Sequence, residues 1–281
     1  VSPLVPDPKA KTLEGLAAET LGGLIMVAPP GVVERRYALA QALRALAAGA
    51  PFTVMAPKDK GGLRLAKALT AFGCDFAETS KHHYRLCTGR RPAVVAGLAE
   101  AIAEGGMQRM AENGLWTQPG VFSWDRIDPG SRLLAETLGP LSGRGADLGC
   151  GVGYLALKIL AAPAVTAAIL VDIDRRAIDC ARANVVDSRA AFRWADVRAG
   201  LDDLTALDFV VMNPPFHAAG AHDHGLGQAF IRRAASALRR GGVCWLVANR
   251  HLPYEAVLAE LFSAVSQVRD QGGYKVYEAR R

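Results

Sequence analysis

Apolar and polar positions change their period along this chain, and the changes mark out its elements. Residues 21–27 form an apolar run that predicts a strand before Pro29-Pro30-Gly31. Residues 33–48 are rich in Ala and Leu and predict a helix, ended by Gly49 and Pro51. A buried strand follows at residues 52–56, then the loop Pro57-Lys58-Asp59-Lys60-Gly61-Gly62, then a helix at 63–72. Short strands are expected at 76–78 and 84–87, and residues 92–111 read as mostly helical. This is alternating α/β patterning, too short for a complete doubly wound sheet. Gly105-Gly106 and the stretch 113–120 break the pattern, which predicts one domain over residues 1–112 and another over 113–281.

From there strands and helices alternate cleanly. Strands are expected at 146–148, 168–171, 191–194, 209–212, 243–248, 265–269 and 275–279. Helices are expected between them, at 154–160, 177–186, 228–238 and 254–262. A run of right-handed β-α-β units predicts a mostly parallel sheet covered on both faces.

Composition narrows the class. Hydrophobic residues make up 51% of the 281, ample for a core, yet no apolar run has the length and purity of a membrane span. Residues 1–11 lack the charged-then-apolar order of a signal peptide. The five cysteines are an odd count without a close pair of metal-site spacing, which points to free thiols and a cytoplasmic protein. Net charge is +6. Between Lys58 and Arg91, eight Lys or Arg stand against three carboxylates, with His82 and His83 among them. Such a local excess favours a polyanionic partner.

Candidate chemistry begins at residues 145–154, a strand, a Gly-rich turn and a helix start. Glycines there let the backbone approach a ligand closely. Asp172, followed by Ile173, ends the next strand, and a carboxylate there can accept both hydroxyls of an adenosine ribose. Asp196, after the third strand, can accept from an adenine amine. Gly151-x-Gly153-x-x-Ala156 formally satisfies a dinucleotide pattern and a nicotinamide cofactor. Asp147-x-Gly149-x-Gly151-x-Gly153 fits a second pattern, an acidic residue leading three alternating glycines. A carboxylate beside the turn disfavours a pyrophosphate and suits the ammonium of S-adenosylmethionine. Downstream, Asn213-Pro214-Pro215-Phe216 follows an apolar strand that two prolines must end. An amide, a carbonyl and a ring at a strand end suit a flat group bearing NH2.

The turn, Asp172 and Asn213-Pro214-Pro215-Phe216 resemble, in order and spacing, class I S-adenosylmethionine-dependent methyltransferases that act on amino groups. More narrowly, Pro119-Gly120-Val121-Phe122-Ser123, Asp128-x-Gly130-Ser131, Asn213-Pro214-Pro215-Phe216-His217 and Lys275-Val276-Tyr277 resemble the bacterial small-subunit ribosomal RNA guanine-N2 methyltransferases. The likeness covers residues 119–281 well. It implies an α/β fold, a Rossmann-like methyltransferase sheet with a smaller, degenerate methyltransferase-like α/β domain before it. The loop at 57–62 lacks the acidic Gly pattern, so no cofactor is expected there.

On this reading Asn213 Oδ1 and the Pro214 carbonyl accept the two N–H bonds of the guanine amine, and Phe216 stacks on the base. Pro215 and His217 adjoin the base, His217 without a catalytic part. Asp147, Gly149, Gly151, Gly153, Asp172, Ile173 and Asp196 hold the cofactor, with Phe122 and Ser123 flanking its methionine part. Cys150 reads as a small filler. His222-Asp223-His224 reads as a Gly-flanked lid, not a metal site. Trp116 and Trp124 read as packing. Lys58, Lys60 and Arg64 are expected to contact ribosomal RNA or the small subunit, and the protein to act as a monomer. Adenine in nucleic acid and a protein glutamine amide also present NH2 on an sp2 carbon, and a non-catalytic RNA-binding protein could keep the fold. These alternatives stay open at this stage.

Overall fold

The computed structural model describes residues 2–7, 9–199, 201–215, 217–218, 221–222 and 224–281. The chain divides into two compact units, one chiefly Asp7–Gln108 and the other Arg109–Thr117 with Val121–Arg281.

The amino-terminal unit contains β1 (Leu24–Val27), α1 (Val32–Ala45), β2 (Pro51–Pro57), α2 (Leu65–Thr70), β3 (Phe76–Lys81), β4 (Tyr84–Arg90) and α3 (Leu98–Gly105). Its sheet order is β1-β2-β4-β3, with β1 and β2 parallel and the other pairs antiparallel. Phe52, Val54 and Ala56 alternate into a core with Leu39, Leu43, Leu65 and Leu69, the period-2 burial of a sheet with one face covered. The β3–β4 hairpin is longer than the sequence pattern predicts. It turns at His82 and His83, both at positive φ (47° and 63°), as a two-residue turn matched to strand twist requires. The helix expected over 92–111 is confined to Leu98–Gly105, because it starts only after the left-handed Gly97 (φ 65°) and stops at Gly105-Gly106. The basic excess is partly consumed internally. Arg91 is buried on the Leu43 carbonyl and paired with Glu19, and Arg85 pairs with Glu78.

The carboxyl-terminal unit opens around two-residue strands, β5 (Gln108–Arg109, at the unit boundary) and β6 (Trp116–Thr117), then α4 (Pro129–Thr137). The remaining elements are β7 (Gly143–Leu148), α5 (Tyr154–Leu160), β8 (Val165–Asp172), α6 (Arg175–Asn184), β9 (Ala190–Trp194), β10 (Leu207–Met212), the short β11 (His217–Ala218) and β12 (Ala221–His222), α7 (His224–Ala237), β13 (Leu238–Asn249), α8 (Glu255–Leu261), β14 (Ala264–Gln271) and β15 (Tyr274–Arg280). Seven strands form one sheet in the order β14-β15-β13-β10-β7-β8-β9. Strands β7, β8, β9, β10 and β13 run parallel, and β15 and β14 close the far edge antiparallel. Alternate residues feed two cores. Ala146, Leu148, Val210 and Met212 meet Phe230, Ile231 and Leu258 on one face. Leu170, Phe209 and Val211 meet Leu134, Leu155 and Ile159 on the other. The expected α/β class and Rossmann-like sheet are therefore the ones found.

Strand order reverses between β7 and β10. An open α/β sheet leaves a crevice at such a point, at the carboxyl ends of the strands. The Gly turn follows β7 and Asn213 follows β10, so topology alone brings them to one edge. Helix α4 is absent from the sequence reading, and it bounds that edge.

Candidate active site

The turn after β7 is held from beside it. The Gly151 amide donates to Asp172 Oδ2 at 2.8 Å, and the Asp174 amide donates to Asp172 Oδ1 at 2.9 Å. Burial pushes the Asp172 carboxyl up to about 6, offset in part by those amides. A Cβ built on Gly151 (φ 52°) would meet nothing within 4 Å, whereas one on Gly153 would lie 2.9 Å from Val185 Cγ2. Gly151 thus leaves an open cradle, and Gly153 lets α5 pack against α6.

That cradle opens into a cleft walled by Phe122, Ser123, Asp128, Ser131, Gly149, Gly151 and Asn213. Phe122 is exposed, at 59%, and does not belong to the core. Ser123 takes positive φ (55°), and its hydroxyl donates to the Arg126 carbonyl at 2.9 Å. Val121 and Trp124 pack on Val152, Ala177 and Cys180, which anchors this segment against α6. Trp116 packs under the Arg109 guanidinium, 4.0 Å from ring centroid, and Cys150 is buried, its thiol pushed up by burial.

Asn213 is gripped by its amide nitrogen. Nδ2 donates to Asp128 Oδ2 and to Ser131 Oγ, both at 2.9 Å. Asp128 is also the N-cap of α4, accepting from the Ser131 amide at 2.7 Å. The sequence reading quoted Asp128 and Ser131 as motif positions and gave them no role. The signal was a cap residue, then proline at the first helical position, then the pair Leu133-Leu134.

Two of the expected cofactor carboxylates have surroundings that the sequence does not show. Asp147, at the end of β7, is 0% exposed, and burial, reinforced by Asp172 and offset in part by the Ala156 amide, pushes it up to about 8. Asp196 holds the Arg198 guanidinium through both oxygens, at 3.0 and 2.7 Å. Ile173 follows Asp172, and its carbonyl accepts from Trp194 Nε1 at 2.8 Å. Pro214 is buried and Pro215 half-buried behind Asn213. Phe216 and Asp223 lie outside the described residues, and of His217, His222 and His224 only the backbone is described, so the stacking and lid expectations fall there. Lys58, Lys60 and Arg64 belong to the amino-terminal unit, on two 3-10 turns after β2.

An open Gly cradle beside a buried carboxylate, with an amide oxygen across the same cleft, suits a cationic adenosyl cofactor and an amine. The sequence pattern of the methyltransferase small domain matches residues 112–278. The chain belongs to that family. The ribosomal RNA small subunit methyltransferase C of Erwinia tasmaniensis is 30% identical over 276 residues, covering 94% of this chain and 78% of its own. That of Idiomarina loihiensis is 36% identical over 167 residues, 58% of this chain and 48% of its own. This chain thus spans from about half to about three quarters of the length of these relatives. Among solved structures, the T. thermophilus 16S rRNA N2 G1207 methyltransferase in complex with AdoMet and guanosine superposes with a TM-score of 0.80 at 28% identity, over 96% of this chain and 75% of that one. The Asp172 anchor and the Gly151 cradle fit the cofactor of that family.

Proposed function

We propose that this protein transfers a methyl group from S-adenosylmethionine to the exocyclic N2 amine of a guanine in small-subunit ribosomal RNA. One observation carries the reading: Gly149, Gly151 and Asn213 wall a single cleft at the point where strand order reverses. Support for the nucleotide comes from the names of its relatives, and from the guanosine bound by the T. thermophilus protein. When bound, S-adenosylmethionine supplies an electrophilic methyl group on a sulfonium.

The chain's own residues do the rest. Asp172 accepts from the ribose hydroxyls, and the Gly turn lets the backbone lie against the cofactor. Phe122 and Ser123 flank its methionine part. The guanine amine is a poor nucleophile, because its lone pair is delocalised into the ring. Asn213 Oδ1 and the Pro214 carbonyl accept its two N–H bonds, which fixes the nitrogen in place and favours the pyramidal, positively charged state through which it reacts. The amino-terminal unit is a degenerate methyltransferase-like domain, and its Lys58, Lys60 and Arg64 contact RNA phosphates. The protein works as a cytoplasmic monomer without a metal. Among the described residues no helix is long and apolar enough to cross a membrane.

Transfer of labelled methyl to small ribosomal subunits, naked RNA, DNA and protein, followed by nucleoside analysis, tests this. N2-methylguanosine is the expected product. Label in N6-methyladenosine or in protein alone would overturn the acceptor.

A further inference from the structure

We infer that Asp128, together with Ser131, fixes which way the Asn213 amide faces, and so makes the site select a base that offers an amine over one that lacks it. The inference rests on the reading of Asn213 as the acceptor of the amine's hydrogens. An amide side chain has two similar ends, one donating and one accepting. Left free, it could turn its NH2 toward the substrate and repel the amine it should hold. A carboxylate oxygen only accepts, and Asp128 Oδ2 lies 2.9 Å from the outer atom of the Asn213 amide. That atom must be nitrogen, since the flipped amide would set oxygen against oxygen. Ser131 Oγ, also at 2.9 Å, takes its second hydrogen. Both donors of Asn213 are then used inside the protein. Oδ1 is the group that remains, and it can only accept.

Asp128 is itself held in place. The Ser131 amide donates to the same oxygen at 2.7 Å, locking the carboxylate onto the first turn of α4. Helix α4 is anchored by Leu133 and Leu134 in the core. On its other side Tyr274, at the start of β15, lies against Gly130, where a Cβ would come within 2.7 Å of the ring and 3.0 Å of Asp128 Oδ2. The missing side chain at Gly130 lets ring and carboxylate sit this close. Asp128 is a positioning residue. It touches Asn213, and Asn213 touches the base.

Asp128→Ala removes the partner that only accepts and leaves Ser131, whose hydroxyl can donate or accept, so Asn213 can turn either way. Asp128→Asn keeps an oxygen in that place, because the Ser131 amide still donates to it, and should keep the orientation. Asn213→Asp sets two carboxylates against each other. Measured on small subunits, kcat is expected to fall about 100-fold in Asn213→Asp and roughly tenfold in Asp128→Ala, and by less than about threefold in Asp128→Asn. The dissociation constant of S-adenosylmethionine, which also reports folding, should stay within about threefold throughout. Inhibition by guanosine against inosine, which lacks the amine, gives a second readout. The preference for guanosine should shrink from about tenfold or more to near parity in Asp128→Ala and persist in Asp128→Asn and in Ser131→Ala. An unchanged guanosine preference in Asp128→Ala, or its loss in Asp128→Asn, would overturn the inference. Wild-type turnover in Asn213→Ala would instead remove the acceptor reading on which it rests.

Discussion

The loop after β2 and the loop after β7 hold matching places in their units, each between the carboxyl end of a parallel strand and a helix. Both contain glycines at positive φ, and the spaces around those glycines differ. A Cβ on Gly61 (φ 94°) would lie 2.1 Å from Arg35 Nη1. That guanidinium is 2% exposed and donates to the Pro29 and Pro30 carbonyls at 3.2 and 3.0 Å. In the second loop a Cβ on Gly151 would meet open space, beside Asp172. One crevice is filled by the protein's own cation, with Arg64 near it. The other is open, with the Asp172 carboxylate beside it. A sulfonium with an ammonium is repelled by the first and attracted by the second. Similar local topology therefore yields a site in one unit and a plug in the other, as expected when function resides in side chains grafted on a fold.

Substitutions at these paired positions should separate the two loops. Gly151→Val should weaken S-adenosylmethionine binding by about 100-fold or more in calorimetry, because the side chain enters the cradle, with the left-handed φ adding strain of about 1–2 kcal/mol. Gly61→Ala should do the reverse. Its methyl group collides with Arg35, so chemical denaturation should show a loss of about 2–3 kcal/mol, with cofactor affinity unchanged.

Asp147 extends the contrast to pH. Its folded value of about 8 lies above the ordinary carboxylate value of 3.8, so the folded protein holds a proton that the unfolded chain releases. Stability of the cofactor-free protein should therefore fall as pH rises from about 4 to 8. Asp147→Asn does not titrate and should flatten that slope in thermal melts, leaving the variant more stable than wild type at pH 8. The smallest effect is expected in the amino-terminal loop. Reversing charge at Lys58, Lys60 and Arg64 should weaken RNA binding roughly tenfold at low salt and make log Kd against log salt shallower by about 2. An unchanged slope would remove these residues from the RNA interface.

Much of the carboxyl-terminal unit was legible because its strands are short apolar runs and its helices fall between them. The helix expected at 154–160 matches Tyr154–Leu160, since Gly153 and Ala161 bound an unbroken apolar stripe. Helix α4 was not legible. It begins Asp128-Pro129-Gly130-Ser131, which has the composition of a turn, and a glycine inside a nine-residue helix hides its period. Yet that helix supplies the two partners of Asn213. At the site, Gly149, Gly151, Phe122, Ser123 and Asn213 were named from sequence and share one cleft. The burial of Asp147 was not legible, because an acidic residue at a strand end looks the same whether it faces a ligand or the core. Nor was the ion pair that Asp196 makes with Arg198, two residues on.

The central claim is that Asn213, opposite the Gly151 cradle, holds an amine for methyl transfer. The most direct test is kcat on small ribosomal subunits for Asn213→Ala, with the S-adenosylmethionine dissociation constant measured on the same preparation. Loss of one transition-state acceptor predicts a fall in kcat of about 10²–10³. Cofactor affinity should remain within about threefold, because Asn213 grips Asp128 and Ser131 and not the cofactor turn. Equal losses in turnover and cofactor binding, or turnover at the wild-type rate, would contradict it.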